Sequence, residues 1–381
     1  MKVAKRISDM PRAGIRVIFD MANEMEDVIH LEIGSPDLRT PTAICEAGIE
    51  AIREGNTRYT PNAGTDKLRR RVSACVSEGK GIEVTSANIV ITTGGMGALA
   101  STFAAVLEPD DEVLVPDPGW PNYAMQVTCS GGVAVPYGLR REDGFRPYAA
   151  DVASGITDRT KAIVVNSPSN PTGAVIDEEC VEGILDIAQE RDLLVISDEV
   201  YEDIVYDCVN PTFLRIGALD HVACVYSFSK SWAMTGWRVG YLVASEELSA
   251  EVAKLQEVYY ACASSISQRA AVAALDMDRR GAAAVLDTYR RRRDMVLRML
   301  SGRGIDYVEP RGAFYCLVDI SSFGMDSQEF AVELLKTKRV AVAPGSAFGR
   351  KSKEMVRICF AVEDEKLGEG LERFLAFLQK G

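Results

Sequence analysis

The chain has 381 residues, 47% of them hydrophobic and 26% charged, with 31 glycines and 15 prolines. That composition excludes disordered, fibrous and mini-protein classes and leaves room for two or three domains. Its 55 acidic against 43 basic residues give a formal net charge of -12, so phosphate backbones and anionic lipid are repelled, and neither nucleic acid nor a membrane is an expected partner.

From about residue 85 to 245, short β-branched runs alternate with helical-period segments, the rhythm of a mostly parallel sheet covered on both faces. Strands are predicted over 88–93, 112–116, 161–166, 193–197, 222–227 and 238–244, each ending in polar or turn-forming residues. Ligands of such sheets bind beyond the carboxyl ends of the strands, so those ends hold the candidate site. From about 249 to 300 the pattern is helical, and Arg290 to Arg293 read as a solvated helix face. Strands over 313–319, 340–343 and 355–361 and a closing helix over 364–379 then predict a smaller C-terminal α+β domain. There is no internal repeat or long linker, so the two domains are expected to pack closely and share a cleft. No run approaches the roughly 20 apolar residues of a membrane span, and charges interleave the N-terminus, where a leader would be apolar. The nine cysteines have no metal-ligand spacing and read as buried thiols of a cytoplasmic protein, with no metal site expected. With only His30 and His221, chemistry must rest on other groups.

The strand ends supply such groups. Tyr226-Ser227-Phe228-Ser229-Lys230 puts a lysine just past one strand, where partial desolvation would make it a nucleophilic amine. Asp198, in Ile196-Ser197-Asp198-Glu199-Val200-Tyr201, follows an apolar run and needs a cationic partner unless it simply caps a helix. Asn170, in the stiff turn Asn166 to Gly173, and Tyr201 are candidate donors to a phenolic oxygen, although an asparagine in such a turn commonly bonds its own backbone. Gly94-Gly95-Met96-Gly97 opens a helix whose N–H groups suit a phosphate, with Arg238, Ser227 and Ser229 as further donors. Trp120, in Pro116-Asp117-Pro118-Gly119-Trp120, is placed to stack on a flat ring, or else to fill the core. Pyridoxal phosphate asks for all five of these features. The same glycines with Asp117 also fit a dinucleotide fingerprint, but that reading leaves Lys230, Asp198, Asn170 and Arg238 without work.

On these residues, together with Gly34-Ser35-Pro36-Asp37, Tyr59-Thr60-Pro61-Asn62-Ala63-Gly64, Thr235 to Tyr241 and Val356-Arg357-Ile358, the chain resembles the class I/II aminotransferases of the pyridoxal-phosphate fold-type I superfamily, the aspartate aminotransferase-like group, over essentially its whole length. The resemblance implies an α/β fold: a large domain over 31–280 with a mostly parallel central sheet sandwiched by helices, a smaller C-terminal α+β domain over 281–381, and an N-terminal segment over 1–30 that packs on the small domain and active site. It implies pyridoxal 5'-phosphate attached to Lys230, with Asp198 against the pyridinium, Asn170 and Tyr201 on the phenolic oxygen, Trp120 on the ring, and Gly95, Met96, Ser227, Ser229 and Arg238 on the phosphate. It also implies a homodimer in which Tyr59 reaches the neighbour's phosphate, and capture of the substrate α-carboxylate by Arg357 with Gly34 and Asn170; read by itself, Arg357 would be an ordinary salt bridge. The implied reaction is ping-pong transfer of an amino group between an amino acid and a 2-oxo acid, with a carbon–sulfur β-lyase as the alternative on the same fold. Many aspartate-specific relatives carry Lys where this chain has Met96, which leaves the donor open between acidic and apolar or aromatic side chains. Arg12 and Arg16 are candidate distal cations or else solvated charges.

Overall fold

Runs such as Ala162-Ile163-Val164-Val165 and Val222-Ala223-Cys224-Val225 carry no polar alternation, as strands covered on both faces require. They form the centre of the largest of three sheets in the computed structural model, which describes residues 3–10, 14–216, 219–277 and 280–379. In chain order the strands are β1 (Ile29–His30), β2 (Ile89–Thr92), β3 (Glu112–Asp117), β4 (Val133–Gly138), β5 (Thr160–Asn166), β6 (Leu194–Asp198), β7 (Val222–Ser227), β8 (Gly240–Val243), β9 (Tyr307–Val308), β10 (Tyr315–Asp319), β11 (Val340–Ala341), β12 (Ala343–Pro344) and β13 (Met355–Cys359). Seven make the large sheet in the order β2-β8-β7-β6-β5-β3-β4, all parallel except β8. The six predicted strands are all there, and β4 is an addition. It escapes a reading of hydrophobic runs because it is a half-exposed edge strand interrupted by Pro136, and an edge tolerates both.

One face of the sheet packs with Ile44, Leu68, Val72 and Ile184 of the helices Thr42–Arg53, Asp66–Lys80 and Glu178–Arg191. The other packs with Leu99, Phe103, Tyr123 and Val252 of Gly94–Val106, Asn122–Cys129 and Glu246–Tyr259. The helix Gly94–Val106 is buried nearly all round because it lies between the sheet and Glu246–Tyr259. Side chains cap several of these helices: Asp177 Oδ1 accepts from Cys180 N at 3.0 Å, and Ser245 Oγ from Leu248 N at 3.2 Å.

Near the C-terminus, an antiparallel sheet in the order β12-β13-β10-β9 has its own core, built with the helices Arg280–Ser301, Ser327–Lys338 and Asp364–Leu378. The strand predicted over 340–343 is two short strands: β11 pairs with β1, and β12 with β13, as the chain passes from one sheet to the other.

Two expectations are corrected. The arginine run is not a solvated face, since Arg292 is only 4% exposed and Arg293 is also buried. Arg292 joins Asp37 (2.7 Å) to Asp364 (2.7 Å), and Arg293 meets Asp207 at 3.1 Å; Arg291 alone of the four is exposed. A face of helix Arg280–Ser301 that docks on other elements carries its charges inward to acids of those elements. The cysteines are free thiols but not uniformly buried: Cys180, Cys224, Cys316 and Cys359 are, while Cys129 is exposed. Among the described residues no helix is long and apolar enough to cross a membrane.

Candidate active site

The parallel strands bring their carboxyl ends to one edge of the sheet, and the residues singled out from sequence follow those ends. β8 runs the other way, so Arg238, which precedes it, reaches the same edge that Lys230, Asp198 and Asn170 reach from strands they follow. They surround a cavity of about 280 Å³ that also receives Gly34 from the loop after β1 and Tyr315 and Arg357 from the small sheet. Gly95, Met96, Trp120, Tyr201 and Ser227 line it too. Ser229 is buried beside it and donates its backbone N–H to Ser227 Oγ at 3.1 Å.

Lys230 Nζ donates to the carbonyl of Gly34 at 2.7 Å. Burial brings its ammonium down to about 8, with further repulsion from Arg357 and Arg238. Asp198 is 3% exposed, and burial pushes its carboxyl up to about 6 against the lowering effect of the Tyr123 hydroxyl, which donates to Oδ2 at 2.6 Å. Oδ1 accepts from Val200 N at 3.3 Å, a local turn bond, and among the described residues no cation lies within ion-pair distance of the carboxylate.

Arg357 is 2% exposed and is not the ordinary salt bridge its sequence setting suggests. It donates to Asn170 Oδ1 at 2.7 Å and to the carbonyl of Glu32, while its Nε is buried without a partner. The turn bond expected of Asn170 is made instead by Asn166, whose Oδ1 accepts from Asn170 N at 2.8 Å. With Oδ1 committed to Arg357, the amide nitrogen is the end of Asn170 left for the cavity.

Gly94 begins its helix at φ +76°, and a Cβ there would lie 2.8 Å from Arg238 Nη2. A side chain at that position would therefore be strained by the backbone and would push against the guanidinium. Arg238 and an uncapped helix N-terminus thus converge, the pairing that suits an anion. Around one cavity stand, among the described residues, a buried carboxylate without a cation, a buried guanidinium without a carboxylate, and an anion cup.

The family model for class I and II aminotransferases matches residues 26–374. The chain belongs to that family. It is 38% identical to an aspartate aminotransferase of Pyrococcus horikoshii over 97% of this chain and 96% of that one. It is 37% identical to an aromatic-amino-acid aminotransferase of Thermococcus litoralis over 100% and 99%. The structure of a Thermus thermophilus aspartate aminotransferase mutant superposes with a TM-score of 0.94 at 36% identity, covering 99% of each chain. The protein is an aminotransferase with the aspartate aminotransferase-like fold.

Some residues of this aminotransferase site lie beyond the reach of sequence reading. Tyr123 stands one helical turn past Trp120, with the two rings edge to face at 5.4 Å. Tyr315 lines the cavity from the small sheet, and Ile15, Ile33, Leu99 and Val200 complete the apolar part of the wall. Tyr315 lies inside the strand predicted over 313–319, so its element was legible and its place at the site was not. Tyr59 is 88% exposed and does not line the cavity of its own chain. Arg16 is a solvated charge, 3.5 Å from Asp20 and packed on Phe19; Arg12 lies outside the described residues.

Proposed function

We propose that this aminotransferase uses pyridoxal 5'-phosphate held at Lys230 to move an amino group between an amino acid and a 2-oxo acid in two ping-pong half-reactions. When bound, this cofactor supplies an aldehyde that condenses with amines and a pyridinium ring that takes up the electron pair left when a Cα–H bond breaks. The observation that carries the reading is the match between the cavity's unmet charges and those of the cofactor and an amino acid together. Asp198, whose Oδ2 accepts from the Tyr123 hydroxyl, would pair as a carboxylate with the protonated ring nitrogen, its missing cation, and keep that nitrogen protonated. The N-terminus of Gly94–Val106, through Gly95 and Met96, takes the phosphate with Arg238, Ser227 and Ser229. Asn170 and Tyr201, both lining the cavity, would donate to the phenolic oxygen, and Trp120 would offer its indole to the ring.

Arg357 binds the α-carboxylate through its free donors, beside Gly34 and Asn170. Lys230 Nζ, at about 8, is unprotonated in roughly a tenth of molecules at about pH 7, far more than an ordinary lysine. It can therefore take the Cα proton and give it back on the other side of the exchange. Ile15, Ile33 and Leu99 line the cavity with apolar surface that limits water there and favours an apolar or aromatic donor side chain, though relatives named for aspartate and for aromatic amino acids are both similar to this chain.

The domains we infer are a cofactor-binding unit over 31–280, a small domain over 281–381, and an N-terminal segment over 1–30 that reaches the site through Ile15. Two copies are expected to assemble, with Tyr59 of each turned to the other's phosphate, in the cytoplasm. The test is to load the purified protein with pyridoxal phosphate and add single amino acids without an acceptor. Conversion of the visible absorbance by one equivalent of one amino acid identifies the donor. Continued release of pyruvate and ammonia, or no visible absorbance at all, overturns the reading.

A further inference from the structure

Tyr315 opens β10 and is buried against three parts of the site at once. Its hydroxyl is 2.7 Å from that of Tyr201, and the two rings meet edge to face at 5.7 Å. In the register of β10 and β13, Tyr315 pairs with Cys359 and Leu317 with Arg357, so Tyr315 and Arg357 are diagonal neighbours on one face. The guanidinium carbon accordingly sits 4.3 Å from the Tyr315 ring centroid. The loop that supplies Gly34 passes directly across the hydroxyl: a Cβ at Gly34 would lie 1.9 Å from Tyr315 Oη. That loop is the one whose carbonyl accepts from Lys230.

A phenol has one proton to give. If Tyr201 spends it on Tyr315, it has none for a ligand; if Tyr315 donates to the Tyr201 oxygen, the Tyr201 proton is free for the cavity and is made a stronger donor by the bond behind it. The geometry points to Tyr315 as a positioning residue with two separable parts: its hydroxyl turns the Tyr201 proton into the cavity, and its ring carries Arg357. This rests on the reading that the cavity holds pyridoxal phosphate. The titratable groups facing the pair are Arg357, Lys230, Asp198, Tyr123, Cys359 and Tyr289, so a single substitution must be compared with one at Tyr201 itself.

The test uses the cofactor-loaded protein at rest, its visible absorbance titrated with pH in the absence of substrate. Donation from Tyr201 stabilises the anionic phenolic oxygen, which otherwise competes to keep a proton between itself and the neighbouring nitrogen. Weaker donation therefore raises the midpoint. Tyr315→Phe is expected to raise it by about half to one pH unit while leaving the donor KM within about twofold, because the ring under Arg357 remains. Tyr315→Leu is expected to raise both the midpoint and KM, KM by about three- to tenfold. Tyr201→Phe raises the midpoint, and adding Tyr315→Phe to it raises it no further, since Tyr315 acts through Tyr201. An unchanged midpoint in Tyr315→Phe, or full additivity in the double variant, overturns the proposal and leaves the cofactor reading standing. A wild-type protein that gains no visible absorbance overturns the cofactor reading, and this proposal with it.

Discussion

Lys230 and Asp198 are both moved toward their neutral forms by burial, the lysine down to about 8 and the aspartate up to about 6. An unprotonated amine is what a nucleophile and proton carrier needs, so Lys230→Ala is expected to lower transamination by about 10⁴-fold or more in a steady-state assay while pyridoxal phosphate still binds. Asp198 predicts a pH dependence of stability in the cofactor-free protein. Unfolded, an aspartate titrates near roughly 3.9; folded, Asp198 titrates at about 6. The folded value is raised, so the stabilising contribution of the neutral acid is fully present below about pH 4 and lost as pH rises through about 6. Asp198→Asn keeps a neutral side chain throughout. In urea denaturation its stability should gain on the wild type by roughly 2–3 kcal/mol between about pH 4 and 7. A constant difference between the two would show that the carboxylate already has its counter-charge. Lys230 and Asp198 were legible in the sequence only together: each alone has a bland reading, a solvated lysine or a helix cap, and it is their arrival at strand ends with Asn170, Trp120 and the glycines that points to one ligand. Tyr123 was not, because its aim at Asp198 depends on β3 lying beside β5, and β5 beside β6.

At the scale of elements, the site hangs between the large sheet and loops tied to the small one. Arg292 makes one such tie, from the helix Arg280–Ser301 to Asp37, three residues past Gly34, and to Asp364 at the start of the closing helix. Arg292→Ala leaves Asp37 without its cation and removes a buried anchor. It is expected to cost about 2 kcal/mol in chemical denaturation, below the range for fully buried pairs because Asp364 is partly exposed. It should also raise the donor KM, because the loop carrying Gly34 loses its support; an unchanged KM would show that β1 pairing alone fixes the loop. Periodicity correctly marks the arginine run as part of a helix. It cannot tell which side of that helix docks, since acids at positions 37, 207 and 364 are met only after the chain has folded back.

For the whole molecule, the loop around Tyr59 is bound to the segment near Tyr259 and Tyr260: Asn62 Nδ2 donates to Glu257 at 2.9 Å, and Ser265 Oγ to the carbonyl of Asn56 at 2.8 Å. Ile52, Tyr59, Val258, Tyr259 and Tyr260 are exposed in this region, more apolar surface than scattered single residues would give. The proposed dimer would cover it. Val258→Glu is then expected to raise the dimer dissociation constant by at least about tenfold in sedimentation equilibrium and to weaken cofactor binding with it. A wild-type monomer at micromolar concentration that binds cofactor fully would remove the need for Tyr59 from a second copy.

What the sequence by itself determined is whatever is local: β-branched runs that must be covered on both faces, turns after them that must carry polar groups, and the lysine, aspartate, asparagine and glycines found at those turns. The edge strand β4, with Pro136 and one wet face, lacks that local signature. Tertiary structure alone decided the partners: that Arg357 faces Asn170 and a main-chain carbonyl and no carboxylate, that Tyr315 crosses from the small sheet to Tyr201, and that β8 runs against its neighbours and so delivers Arg238 to the common edge. The physical reason is that burial and strand order set which polar groups meet, and both exist only once residues more than a hundred positions apart have packed together.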